Sequence, residues 1–459
     1  MMVPILDDII NTGADAGVKT IAIGMAHRGR LNVLAHIMNK AYEQILSEFK
    51  DPQQALEINN AIGWTTGDVK YHAGVRARFG QSTRPGPILT MPPNPSHLEV
   101  INPVAVGMAR AAGTSVTRAG IPYFDPSLTM QILIHGDAAF PGQGIVAETF
   151  NLARLPGYWT GGTIHLISNN QIGFTTLPSD GRSTLYASDL AKGFKVPVVH
   201  VNADDPMACL EVARLAFAFQ EKFEKDFLID LIGYRRYGHN ELDEPNFTQP
   251  LMYQVIREHH TVRRLWADTL VRNRLASPDE VEAVVDRYNQ QLQATYDNLP
   301  PAEDLAEIPP PPPPPGAAKH IKTFVPHERL QAINNALGMI PADFHFYSKR
   351  LESTIRARRE AFSSPDEPTI DWATAEELAF ATILEEGIAI RLTGQDSERG
   401  TFSHRHAVLH DAQTGKRYVP LQVLPQAGAA FEIYNSPLSE GAALGFEYGY
   451  NVQEPDRLV

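Results

Sequence analysis

Two short stretches carry the side chains best suited to chemistry: His135-Gly136-Asp137-Ala138-Ala139-Phe140 and Ser168-Asn169-Asn170-Gln171-Ile172-Gly173. Each follows an apolar run that reads as a strand. The carboxyl ends of neighbouring parallel strands are where open α/β sheets bind ligands, so Asp137 and Asn170 could point into one crevice although roughly thirty residues separate them. A carboxylate, an amide carbonyl and a backbone carbonyl are the oxygen ligands that a hard divalent cation with a diphosphate wants. Gly136, Gly142 and Gly144 would let the backbone approach an anion at the start of the next helix, whose positive end favours it. Taken singly, Asp137 reads as a helix cap and Asn169-Asn170 as a turn. The two together favour the ligand reading.

The elements that must position these residues follow from periodicity. Short apolar runs alternate with segments of helical period, which predicts an α/β fold of parallel sheets flanked by helices. Strands are expected over 21–26, 131–134, 163–167, 196–201 and 227–232. Helices are expected where Ile145, Val146, Thr149, Phe150 and Ala153 recur at helical spacing, and over 207–223. After the aromatic and charged segment 234–253 the pattern turns helical over 258–299, with a capping box at Ser277 and Glu280. Pro309 to Pro315 cannot donate backbone hydrogen bonds and predicts an extended linker. From about Trp372 a second α/β pattern begins, with a helix over 375–386, a strand over 389–392 and a helix opening near Ser439. The chain therefore divides into 1–257, a helical connector 258–370, and 371–459.

The spacing from Gly136-Asp137 to Asn169-Asn170 resembles the thiamine-diphosphate fingerprint, which implies Mg²⁺ held by Asp137, Asn170 and the carbonyl of Ile172. Longer stretches make the resemblance specific: GMAHRGRLNVL (24–34), GDVKYHAG (67–74), NPSHLE (94–99), HGDAAFPGQG (135–144), NNQIGFTT (169–176), YRRYGHNELDEPNFTQPLMY (234–253), GQDSERGTFSHRHAVLHD (394–411) and LSEGAALGFEYGY (438–450). In this order they resemble the decarboxylating component of 2-oxoglutarate dehydrogenase. The resemblance implies cofactor contacts from Arg28, Ser96, Leu98, Asp137, Ala138, Ala139 and Asn170, with Gln395 approaching from the second α/β unit. It implies catalytic roles for His27, His72 and Glu440, with His72 and Ser96 also binding substrate. In the family such a glutamate hydrogen-bonds the aminopyrimidine ring of the cofactor. Read without the family, Glu440 is also a first-turn acid favoured by a helix dipole. His404 and His406 have a two-residue spacing that suggests a metal site, yet no carboxylate or cysteine cluster accompanies them, and they read as framework around Gln395. Arg235, Arg236, His239 and Glu241 read as an ion-pair network, and Cys209 as core.

The implied activity is oxidative decarboxylation of 2-oxoglutarate in the tricarboxylic acid cycle, with succinyl transfer to a lipoyl-bearing dihydrolipoyl succinyltransferase. The implied assembly is a homodimer. Alternatives are 2-oxoadipate as substrate, a decarboxylase without lipoyl transfer, or a noncatalytic assembly subunit. On this resemblance 1–257 is the diphosphate- and Mg²⁺-binding domain and 371–459 a pyrimidine-binding domain. The family pattern starts before Met1 and runs past Val459, so the second α/β unit is expected to be incomplete, to expose apolar surface and to need a remainder for activity. Gly441 departs from the family, which often has an acid or a bulkier residue there.

Composition sets the outer bounds. An apolar content of 43% over 459 residues is enough for one large core or several smaller ones. A net charge of −13 argues against nonspecific binding to nucleic acid or to an anionic membrane. The single cysteine leaves no disulfide framework, which fits a reducing compartment, with the cytoplasm as the expected location. No apolar run reaches the roughly 18–20 residues needed to span a bilayer, and the amino terminus has neither signal-peptide nor transit-peptide character.

Overall fold

The central strands of the first unit are apolar on both faces, and such strands belong inside a parallel sheet covered by helices. The computed structural model describes residues 1–26, 29–50, 74–80, 86–94, 98–240, 242–299, 313–364 and 367–459. Helix α1 (Met2–Asp15) leads into β1 (Thr20–Met25), followed by α2 (Arg30–His36), α3 (Tyr42–Lys50), β2 (Val75–Arg78) and β3 (Ile88–Met91). Then come α4 (Ile101–Ala112), β4 (Thr129–Gly136), α5 (Gly144–Leu152), β5 (Thr163–Asn169), β6 (Val198–Asn202), α6 (Pro206–Phe223) and β7 (Phe227–Ile232). The seven strands form one sheet in the order β2-β3-β1-β4-β5-β7-β6. All pairings are parallel except β2 with β3.

Alternation along each strand fixes what each face meets. Ile21, Ile23, Met130, Ile132, Ile164 and Leu166 share a core with α1, α2 and α6. Ala22 and Leu133 share the opposite core with α4, and Ile167 and Leu228 pack with Val146 and Phe150 of α5. From β1 the sheet grows to β3 on one side and to β4 on the other, so the chain reverses direction at β1, the place where such sheets open a crevice at their carboxyl edge. Helix α6 starts where Asp205 accepts from the Ala208 amide at 3.1 Å and Pro206 takes the first turn.

The middle of the chain is helical: α7 (Pro250–Glu258), α8 (Val262–Arg272), α9 (Pro278–Asp297), α10 (His327–Leu337) and α11 (Lys349–Arg359). The Ser277–Glu280 capping box forms at the start of α9. Pro309 to Pro312 lie outside the described residues; beyond them a turn closes from the Ala317 amide to the Pro314 carbonyl at 3.0 Å. The second α/β unit comprises α12 (Trp372–Glu385), β8 (Ile390–Gly394), β9 (Phe431–Asn435) and α13 (Glu440–Gln453), with β8 and β9 paired in parallel. Its core of Leu378, Leu384, Ile390, Phe431 and Ile433 also takes in Ile333 and Leu337 of α10.

Helix α13 leaves its own unit to pack on α4. The two backbones come so close that a methyl group on Gly107 would lie 1.9 Å from the Phe446 carbonyl oxygen, and one on Gly449 2.0 Å from that of Val104. Among the described residues no helix is long and apolar enough to cross a membrane.

Strands β2, β3 and β9 were not expected from the sequence. Arg76 and Arg78 alternate along half-exposed β2, β3 has only four residues, and β9 carries Glu432 inward, where Arg391 neutralises it at 2.9 Å. In each case the pairing partner, not the local apolar pattern, makes the strand.

Candidate active site

Asp137 and Asn170 stand at the ends of adjacent strands and meet. The Asn170 amide donates to Asp137 Oδ1 at 3.4 Å, and the Ile172 amide donates to Asn170 Oδ1 at 3.4 Å. Both side chains are buried, Ala138 is exposed and Ala139 half-buried. The turn after Asn170 holds two non-glycine residues in the left-handed region, Gln171 (φ 63°) and Phe174 (φ 58°), a conformation that persists only where the surroundings enforce it. Asn169 Oδ1 takes the Gln171 amide at 3.0 Å, Gln171 Nε2 reaches the Gly233 carbonyl at 2.9 Å, and Gln249 Nε2 reaches that of Thr175 at 2.5 Å. Arg235 donates to the Phe174 carbonyl at 2.9 Å and to Tyr253 Oη at 3.2 Å. Its ion pair with Asp243 is longer, 3.7 Å, and the hydrogen bonds tether this segment to the Asn170 turn. Glu241 lies outside the described residues.

Behind the edge lies a belt of buried polar groups. Arg30 donates to the carbonyls of Met25 and Pro92, each at 2.8 Å, and burial pulls its guanidinium down to about 10. Asn94 Nδ2 bonds the carbonyls of Met25 and Ala26, each at 3.1 Å. These two side chains share the Met25 carbonyl and hold the end of β1. Glu99, just ahead of α4, meets His135 Nδ1 at 2.8 Å, and His135 Nε2 meets His165 Nδ1 at 3.0 Å. Asn169 Nδ2 donates to Asp230 at 2.9 Å, and Asp230 also faces Ser188 Oγ and His200 Nδ1.

Of the other residues expected to act, His27, Arg28, His72 and Ser96 lie outside the described residues. Leu98 is exposed beside Glu99. On the second unit Gln395 Nε2 donates to Glu440 Oε1 at 2.7 Å, with both side chains exposed. The first turn of α13 is gripped by α5: Glu148 Oε2 accepts from the Ala442 amide at 2.9 Å, and Asn151 donates to Ser439 Oγ at 3.1 Å. The structure thus forms two pairs, Asp137 with Asn170 and Gln395 with Glu440, and α5 runs from the loop of the first to the helix of the second. His406 Nε2 faces the carbonyl and hydroxyl oxygens of Ser403 at 3.0 and 3.1 Å.

Comparison with known proteins gives the family. Residues 1–305 match the family model described as dehydrogenase E1 component, and residues 368–459 match the transketolase pyrimidine-binding domain. The chain belongs to the dehydrogenase E1 component family. Both matches are to thiamine-diphosphate-binding domains. The 2-oxoglutarate dehydrogenase E1 components of Geobacillus sp. (strain WCH70) and Bacillus mycoides (strain KBAB4) are each 52% identical over all of this chain and 48% of their own length. That of Geobacillus kaustophilus (strain HTA426) is 50% identical over all of this chain and 49% of its own. The chain spans about half the length of these relatives.

Gly441 of this E1 chain, expected from the sequence to stand where the family often has an acid or a bulkier residue, lies close against α5. A methyl group on Gly441 would lie 3.2 Å from both Glu148 Oε2 and Ile145 Cδ1, so a small residue lets the α5 carboxylate cap α13. Glu148, Glu99, His165 and Asp230 were not singled out from the sequence. The signal for one of them was present: His165, like His135, interrupts an apolar strand, but only the register that sets Leu133 beside His165 brings the two onto one face.

Proposed function

We propose that this chain binds thiamine diphosphate with Mg²⁺ at the edge formed by Asp137, Asn170 and Ile172. On this reading it is the cofactor-binding part of an enzyme that oxidatively decarboxylates 2-oxoglutarate and passes the succinyl group to a lipoyl-bearing dihydrolipoyl succinyltransferase. The observation that carries the reading is the meeting of two buried oxygen-bearing side chains at adjacent strand ends. The donor set fits the ion: a carboxylate, an amide oxygen and a backbone carbonyl are hard ligands, and few of them suffice because Mg²⁺ keeps phosphate and water in its shell.

Bound thiamine diphosphate supplies the electron sink that allows a 2-oxo acid to lose CO₂. The chain's own residues do the rest. Asp137, Asn170 and the Ile172 carbonyl hold the cation, and Arg28, Ser96, Leu98, Ala138 and Ala139 line the cofactor. Gln395 orients Glu440, which hydrogen-bonds the pyrimidine ring and holds a proton there. His27, His72 and the Ser96 hydroxyl hydrogen-bond the substrate. Exposure of Glu440 together with Leu438, Leu444 and Tyr448 supports a homodimer in which the pyrimidine-binding unit of one subunit faces the diphosphate-binding unit of the other. The division into 1–257, 258–370 and 371–459 follows the same logic.

Calorimetric titration of the chain with thiamine diphosphate and Mg²⁺ tests the reading. Saturable, Mg²⁺-dependent binding is expected, at least about tenfold weaker in Asp137→Ala and in Asn170→Ala. Binding unchanged in either variant would overturn the assignment.

A further inference from the structure

We propose that Glu99 is a positioning residue for the cofactor edge: through one directional hydrogen-bond chain it sets the tautomers of His135 and His165, and so ties the segment entering α4 to β4 and β5. The cofactor part of this inference rests on the function proposed above; the tautomer relay does not.

Four ionisable side chains lie in a buried row: Glu99, His135, His165 and Asp226 are 0%, 1%, 2% and 7% exposed. They run from the entry of α4, across β4 and β5, to the residue before β7. The two rings stack with centroids 5.2 Å apart, His135 against Phe140 and His165 against Phe150, so neither ring is free to turn.

Hydrogen-bond accounting fixes the direction. A carboxylate only accepts, so Glu99 Oε2, 2.8 Å away, requires a proton on His135 Nδ1. With both imidazoles neutral, His135 Nε2 is then an acceptor, and the 3.0 Å contact requires a proton on His165 Nδ1. That leaves His165 Nε2 as a lone pair facing the Asp226 carboxylate. Two acceptors should stand apart, and they do: 3.6 Å separates them, too long for a hydrogen bond. The opposite chain, with protons on both Nε2 atoms, would favour Asp226 and repel Glu99. The unequal end distances, 2.8 against 3.6 Å, show Glu99 in control. Asn102 Nδ2 donates to the same Glu99 oxygen at 3.1 Å, so α4 itself is tied into the row. Asp137 follows His135 by two residues and Leu98 precedes Glu99, so the row joins two pieces of the proposed cofactor edge that share no strand.

The whole chain, with its histidines labelled in ¹⁵N and resonances assigned by single substitutions, reads the relay directly near pH 8. Both His135 and His165 are expected to carry the proton on Nδ1. In Glu99→Met, Asn102 faces His135 Nδ1 as a donor, and both rings should switch to the Nε2 form although His165 never touches Glu99. His200, which answers to Asp230, should not change. Glu99→Gln keeps an accepting oxygen and should restore both tautomers. Affinity for thiamine diphosphate with Mg²⁺ should fall about tenfold in Glu99→Met and recover to within about threefold in Glu99→Gln. If Glu99→Met does not fold, His165→Asn serves: it removes only the far end, so His135 must stay protonated on Nδ1. An unchanged His165 in Glu99→Met, or a switched His135 in His165→Asn, overturns the relay. Tautomers that switch with unchanged affinity overturn the positioning role. A wild-type chain that binds no thiamine diphosphate defeats the proposed function, while the ¹⁵N spectra still decide the relay.

Discussion

The contact between the two α/β units and the carboxyl edge of the large sheet are both rich in buried polar groups, yet they are built on opposite principles. At the contact, the buried charge of Arg391 is answered inside the protein. Arg391 bonds Glu432 at 2.9 Å, Glu447 at 2.6 Å and the Gly157 carbonyl at 2.8 Å, within a cage that includes Tyr158, Phe446 and Tyr450. Burial alone would lower its pKa, but the Glu432 and Glu447 carboxylates outweigh that and hold it above the ordinary arginine value. At the edge, the bonds between Asp137, Asn170 and Ile172 are 3.4 Å long, whereas those behind them are 2.8 to 3.0 Å. The contact is closed and self-sufficient. The edge is held firmly from the rear, by buried polar groups that fix the strand ends carrying Asp137 and Asn170.

The largest effect should come from opening the closed region. Arg391→Met leaves buried Glu432 and half-buried Glu447 without their cation and should cost about 3–5 kcal/mol in urea unfolding. A small loss would mean that the contact is not the sealed unit described. Gly449→Ala is next: its methyl group meets the Val104 carbonyl, and the overpacking should cost about 3 kcal/mol, read from the same unfolding curves.

The edge should respond to pH. Burial pushes the His165 pKa down, so the folded protein disfavours a proton that the unfolded chain accepts. The unfolded chain then binds more protons, and stability rises with pH. This contribution is complete above the ordinary histidine value of about 6.5 and is lost progressively as pH falls below it, at up to about 1.4 kcal/mol per pH unit. His165→Gln should flatten that slope. An equal slope in wild type and His165→Gln would remove His165 from the account. The smallest change should follow Arg264→Ala, which removes an exposed pair with Asp268 and should alter stability by less than about 0.5 kcal/mol.

Much of this was legible in the residues. The apolar runs located five of the seven strands of the large sheet, and Asp137 and Asn170 were identified as a pair because each ends such a run. Strands made by their partners were not legible: β2 alternates arginine with small residues, and β9 hides Glu432 behind a cation from β8. The rear support was not legible either. Glu99 reads as an ordinary acid near a helix start, and His165 as an isolated polar residue in a strand, until register and the approach of α4 place them in one row. Local pattern records what a residue prefers, while long-range pairing decides what a buried charge is for.

The central claim is that Asp137 and Asn170 serve one ligand site. A double-mutant cycle on thiamine diphosphate binding at saturating Mg²⁺ measures it most directly, using Asp137→Asn, Asn170→Ala and the two combined. If they share one site, the second substitution should add little to the first, leaving the double variant close to the weaker single variant. Losses that add in full would show two residues acting independently and would contradict the account.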